Sequence, residues 1–129
     1  MSVLSLPTPP PVTVSIAVRD DAVLVALDGE LDIAMVGHAK DHLSAAISLA
    51  GHVVIVDLSS VTFVDSSGFE VLTRARSDAF TSGVALVCAA PSRSVAHQLS
   101  LLGGDQVMPV FGSVPAAVHR YCRRPPRPG

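Results

Sequence analysis

Residues Val53-Val54-Ile55-Val56 constrain this chain more than any other stretch. A strand points alternate side chains to opposite faces, so four consecutive β-branched apolar residues describe a strand buried on both. Asp57 and Leu58 continue it, and a second apolar pair, Phe63-Val64, leads into Asp65. From Ser66 the period changes. Phe69, Leu72, Ala75 and Ala79 recur at offsets of three and four, the stripe of a helix that buries one face. A buried strand therefore runs through a loop into a helix whose first turn is Ser66-Ser67-Gly68.

The first N–H groups of a helix have no intrahelical partner and sit at the positive end of its dipole, so an anion is favoured there. Asp65 is placed to cap this helix, its carboxylate accepting from the N–H of Ser67 or of Gly68. A phosphate on Ser66 or Ser67 would bring close to two negative charges to a turn that already carries one. The dipole favours that phosphate and Asp65 opposes it. A partner lying on the turn would meet both the charge and the bulk, the physical outline of a switch. The same residues also serve as an ordinary capped helix start.

Around this centre the periodicity gives a full chain. Val12, Val14, Ile16 and Val18 alternate with Thr13, Ser15 and Ala17, and Val23, Val25 and Leu27 alternate again after Arg19-Asp20-Asp21. This reads as two antiparallel strands joined by a tight polar turn. Asp32 is a candidate N-cap for a helix carrying Val36, Ala39, Leu43, Ala46 and Ala50, which Gly51 would end. The Ser66 helix runs to about Ser82, where Gly83 stops it. Val84 to Ala89 is a further apolar strand, and Pro91 opens a third helix with Val95, Leu99 and Leu102 inward. Val107 to Phe111 reads as a short edge strand containing Pro109, and Ser113 caps a last helix to Tyr121.

The pattern predicts a single α/β domain: a mostly parallel mixed sheet of about five strands, with about four helices and one antiparallel strand. Residues 12–121 would form it. The Pro-rich residues 1–11 and the Arg/Pro-rich residues 122–129 would be tails.

Charge narrows the function. Four of the nine basic residues, Arg120, Arg123, Arg124 and Arg127, lie in the last ten positions, so residues 1–119 hold five basic and eleven acidic side chains, a balance of −6. An acidic body argues against nucleic acid and suits a basic docking partner. Chemistry-bearing patterns are few. The single lysine, Lys40, lies mid-helix and belongs to no Gly-rich phosphate loop, and no Gly-x-Ser-x-Gly elbow is present. No histidine stands near Ser66 in sequence to act as its base, so the expectation is a protein that is not an enzyme. His38 and His42 share a helix face, but His52, His97 and His119 are scattered, and no metal site is expected. Cys88 reads as a small buried hydrophobe, while Cys122 sits beside cationic neighbours that would lower its pKa. No run of eighteen apolar residues is present, and Met1 to Pro11 has no basic leader, so the expected location is cytoplasmic. Nothing in the sequence requires more than a monomer.

Val56-Asp-Leu-Ser-Ser-Val-Thr-Phe-Val-Asp-Ser-Ser-Gly-Phe69 resembles the signature of STAS domains, specifically the bacterial anti-sigma factor antagonists. Leu27-Asp28-Gly29-Glu30-Leu31-Asp32 resembles the family's second signature, Gly-Glu-Leu-Asp before the first helix. The resemblance spans about residues 12 to 121. It implies a regulator of transcription that works by partner switching, of the kind used in stress response and sporulation. Such a protein captures an anti-sigma factor that is also a GHKL-type serine kinase, frees the sigma factor, and lets go once phosphorylated. A metal-dependent serine phosphatase restores it.

Carried onto this chain, the resemblance makes Ser66 the acceptor, with Ser67 as the fallback. Asp32, Asp65, Ser67, Gly68 and Glu70 would lie on the partner-binding face. ATP and Mg²⁺ would be held by the kinase, so no cofactor belongs to this chain. The common pattern continues Ser-Ser-Gly-Leu-Gly, whereas here it reads Ser-Ser-Gly-Phe69-Glu70. Phe69 keeps an apolar anchor with more volume, and Glu70 adds a charge one turn from the acceptor. The alternative is a STAS module that senses a small ligand or scaffolds a partner without a phosphorylation cycle.

Overall fold

The computed structural model describes residues 12–19 and 22–121. The expected turn at Asp20-Asp21, both tails and Cys122 lie outside the described residues. Strands β1 (Val12–Arg19) and β2 (Ala22–Leu31) pair antiparallel as the alternation predicts. Helix α1 (Val36–Leu49), strand β3 (Val53–Val64), helix α2 (Ser66–Thr81) and strand β4 (Ala85–Ala89) follow. Helix α3 (Arg93–Leu101), a single turn α4 (Gly104–Val107), strand β5 (Val110–Phe111) and helix α5 (Val114–Tyr121) complete the chain. The sheet order is β1-β2-β3-β4-β5, with every neighbour beyond the first pair parallel.

The run at Val53–Val56 sits at the centre of this sheet, and each of its four side chains is fully buried. Val54 and Val56 face a core closed by α1, α2 and α3, which bring Leu43, Leu72 and Leu99. Val53 and Ile55 face a second core against Ala117 of α5. Burying a Val or Ile side chain stabilises by about 1.5–3 kcal/mol, so this one strand anchors both layers.

Several boundaries differ from the sequence expectation. Asp32 does not cap α1. Its Oδ1 accepts from the N–H of Ala34 at 3.1 Å and its carbonyl from that of Met35 at 2.9 Å, which makes a separate turn, and α1 begins only at Val36. An Asp side chain offers its backbone this local alternative to a helix. Gly51 does not end α1 in a left-handed conformation; Ala50 leaves the helix extended and donates back to Ala46 at 3.0 Å. Pro91 is not the first residue of α3, because Ser92 is the better cap: its Oγ accepts from the N–H of Val95 at 3.2 Å. The edge strand is shorter than Val107–Phe111. Left-handed Gly103 (φ +82°) starts the turn α4, and Pro109, with no N–H of its own, offers only its carbonyl to Cys88 at 3.1 Å.

Two features aim the chain at one end of the sheet. β3 runs seven residues past Asp57, where its pairing with β4 stops. β2 keeps pace with it through two register shifts around Asp28 and Gly29, and Gly29 takes φ +119°, a conformation open to glycine. The ends of β2 and β3 therefore project together, beside the start of α2. No helix among the described residues is long and apolar enough to cross a membrane.

Candidate partner-binding site

Asp65 is extended and caps α2. Its Oδ1 accepts from the N–H of Gly68 at 2.9 Å, and its carbonyl takes the N–H of Phe69 at 2.9 Å. Of the two cap donors the sequence allowed, Gly68 is the one used. With that carboxylate turned inward to the cap, Ser66 is left exposed at the first position of the helix and Ser67 half-buried beside it. Gly68 is buried, and the reason lies across the sheet end. A Cβ at Gly68 would stand 2.3 Å from the Leu31 carbonyl oxygen and 2.8 Å from the Leu31 Cβ. The same Leu31 carbonyl accepts the N–H of Asp65 at 3.1 Å.

The turn is held from its other side by α3. Gln98 Oε1 accepts the N–H of Val64 at 2.9 Å, in the part of β3 that extends beyond β4. The side-chain amide stands in for the missing strand. Gly104 lies under the Phe69 ring, since a Cβ there would come within 3.2 Å of Phe69 Cε1 and 2.9 Å of the Leu99 carbonyl oxygen. We expect Gln98→Leu, which keeps the volume and removes the acceptor, to leave Val64 N–H unpaired. Its amide should exchange with deuterium at least about tenfold faster, for a bond of roughly 1.4 kcal/mol. Gln98→Glu keeps an acceptor and should retain protection. Equal exchange in all three proteins would refute the role.

The predicted site residues thus gather at one end of the sheet, all but Gly68 at least partly exposed; Gly68 is buried beneath the turn, where its part is close packing on Leu31 and not contact with a partner. Asp65, Ser66, Ser67 and Gly68 form the first turn of α2, and exposed Glu70 follows one turn on. Asp32, half-buried, sits in the adjoining turn between Leu31, which bonds to Asp65, and Ile33, which shares a groove with Ser67. Sequence reasoning missed Leu31 and Gln98. Leu31 stands inside the Gly-Glu-Leu-Asp motif, but its side chain does not show its part, which is played by a backbone carbonyl. Gln98 did carry one: it falls three residues after Val95 and next to Leu99, a polar amide on the buried stripe of α3.

The remaining candidates lie apart. The His38 and His42 rings meet edge-on at 4.4 Å on α1, with His42 Nδ1 2.9 Å from the His38 carbonyl oxygen. Among the described residues, no three His, Cys, Asp or Glu side chains come together as a metal centre would require. Cys88 is fully buried against Met108 Sδ at 3.3 Å, and burial pushes its thiol up to about 12. Iodoacetamide at pH 8 should leave Cys88 unmodified in the native protein and alkylate it once unfolded, as read by peptide mapping. Rapid native labelling would contradict the burial.

Comparison with known proteins places the fold. A sequence profile of the STAS domain matches residues 13–117. An anti-sigma factor antagonist from Mycobacterium paratuberculosis shares the fold with a TM-score of 0.76 at 19% identity, covering 92% of this chain and 100% of that one. The anti-sigma factor antagonist SpoIIAA in its unphosphorylated form aligns with a TM-score of 0.69 at 21% identity, over 84% of this chain and 95% of that one. SpoIIAA of Bacillus has also been solved in a phosphorylated form. Part of the murine anion transporter Slc26a9 matches as well, with a TM-score of 0.69 at 25% identity, over 78% of this chain and 17% of the transporter.

Proposed function

Since this chain belongs to the STAS domain family, we propose that it is an anti-sigma factor antagonist whose capture of a kinase anti-sigma factor is switched off by phosphorylation of Ser66. The observation that carries this reading is the exposed Ser66 hydroxyl on a helix start whose cap is already satisfied by Asp65. The unphosphorylated turn offers a partner a low surface of Ser66 and Ser67, bordered by Asp32 and Glu70. The partner is a GHKL-type serine kinase in the cytoplasm that supplies ATP and Mg²⁺. It places a phosphoryl group on Ser66, and a metal-dependent phosphatase removes it. This chain supplies the hydroxyl and the docking surface and catalyses neither step. It acts as a monomer and binds neither nucleic acid nor membrane.

The helix dipole stabilises the phosphate by about 0.3–1 kcal/mol, so the modified protein stays folded. The partner, by contrast, faces a dianion added to a turn already bordered by three carboxylates. The test is intact-mass spectrometry with site mapping, on protein incubated with Mg-ATP and each GHKL-type kinase of its own genome. One phosphoryl group on Ser66 together with loss of the complex supports the reading. A folded sample that takes no phosphate from any of them rejects it, and leaves the ligand-sensing or scaffolding module.

A further inference from the structure

The surface beside the switch serine is a groove. It lies between α1 and α2, holds about 290 Å³, and has Val36, Val71 and Ala75 on its floor. It begins at Ser67 and runs along α2 to Asp78, about 16 Å at the helical rise, or three turns. Ile33 stands at its mouth with 73% of its surface exposed. On the α1 side the chain uses Gly37, where an added Cβ would meet nothing within 4 Å. That glycine answers no steric demand inside this protein, and with no side chain it leaves this side of the groove open.

The charges on the rim indicate what. Exposed Glu70, Arg74 and Asp78 follow one another at four-residue spacing down the α2 wall, with Lys40 on the α1 wall. Such a wall does not suit a second copy of itself. An antiparallel two-fold pairing would set Arg74 on its own copy and Glu70 on Asp78, like charge on like. It does suit a helix carrying cation, anion and cation at the same spacing. We propose that this groove receives an amphipathic helix of the partner, three turns long, apolar toward Val36 and Val71, with a cation–anion–cation flank toward α2. The identity of that partner as the switching kinase rests on the function proposed above; the groove and the chemistry of its occupant do not. The position of Ser67 at the groove's end puts the occupant's terminus against the phosphorylation site, so the helix is the part of the partner that a phosphate would expel.

The test has two arms. In the first, ¹⁵N-labelled protein is titrated with a synthetic fourteen-residue helical peptide that has an apolar stripe and a Lys-Glu-Lys flank at four-residue spacing. Shifts should concentrate at Gly37, Val71 and Ala75, and a peptide with Glu-Lys-Glu on that flank should bind about tenfold more weakly. The triple variant Glu70→Lys, Arg74→Glu, Asp78→Lys should reverse the preference. Equal binding of the two peptides, or shifts elsewhere, overturns the proposal. In the second arm, Gly37→Leu adds bulk on the α1 side of the groove, where a Cβ has open space, and a variant that melts within a few degrees of wild type should lose at least about tenfold in affinity for the cognate kinase. A folded Gly37→Leu that binds the kinase like wild type also overturns it. If no kinase binds the wild-type protein, the switching function falls, and the peptide arm alone decides the groove.

Discussion

Gly68→Ala should unfold at a temperature lower by on the order of 10 °C, even though Gly to Ala inside a helix ordinarily stabilises. The reversal follows from one carbonyl. The new methyl would stand 2.3 Å from the Leu31 oxygen and 2.8 Å from the Leu31 Cβ. Neither atom is the free end of a flexible side chain, so the start of α2 must move away from the end of β2. Overpacking of this kind costs about 1–3 kcal/mol. The same movement pulls apart the Asp65–Leu31 backbone bond, adding about 0.5–1.5 kcal/mol. Gly37→Ala is the control. It too lies in a helix, but its Cβ has open space, so at the second position of α1 it should gain up to about 1 kcal/mol. Thermal melts of both proteins settle the matter: a Gly68→Ala that melts at or above wild type would show that the two elements are not in contact.

Substitution of Ser66 should do the opposite, leaving the fold intact and changing binding. Ser66→Ala removes the acceptor and should hold the kinase in a stable complex that Mg-ATP no longer dissolves. Ser66→Asp adds a charge where the helix dipole accepts it, so the melting temperature should move by no more than a degree or two. Against the partner that charge must be desolvated next to Asp65 and Glu70. An uncompensated charge in an interface costs about 2–5 kcal/mol, roughly 30-fold to several thousand-fold in affinity. Calorimetric titration of wild type, Ser66→Ala and Ser66→Asp against the kinase measures this. Two mutants that bind alike would sink the assignment of Ser66, and the same outcome at Ser67 would remove the fallback.

What the sequence revealed, and what it hid, divides along the range of the interactions. The buried run at Val53, the helical stripe from Phe69 to Ala79 and the cap at Asp65 are local signals. Each is set by neighbours within four residues, and each was legible. The first turn of α1 was not. Asp32 has the composition of a helix cap, yet its side chain closes a shorter turn on Ala34 that competes with the cap. Pro91 and Ser92 both announce a helix start, and only the hydroxyl can satisfy an N–H. The length of β5 depended on Gly103 and Pro109 together, a left-handed residue eight positions before Phe111 and a missing donor two positions before it. The supports of the site were the least visible. Leu31 acts through its carbonyl, and Gln98 reaches Val64 from 34 positions away. Only the folded sheet, with β3 longer than its neighbour, makes room for that amide.

The way the α2 start is pinned, by Leu31 from one side and Gln98 from the other, bears on the timing of the proposed switch. A turn that exists in one arrangement before its partner arrives has no minor state to be selected, so affinity is not divided by the population of a rare conformer. Phosphorylation of such a turn has nothing to rearrange, and its removal has nothing to restore. Capture should resume as fast as the two proteins meet, with no lag after the phosphate leaves. The molecule then keeps no memory of its last state. With Ser66 as the switch proposed above, how long the response stays on or off would be set by the enzymes that add and remove its phosphate, and by nothing stored in this chain.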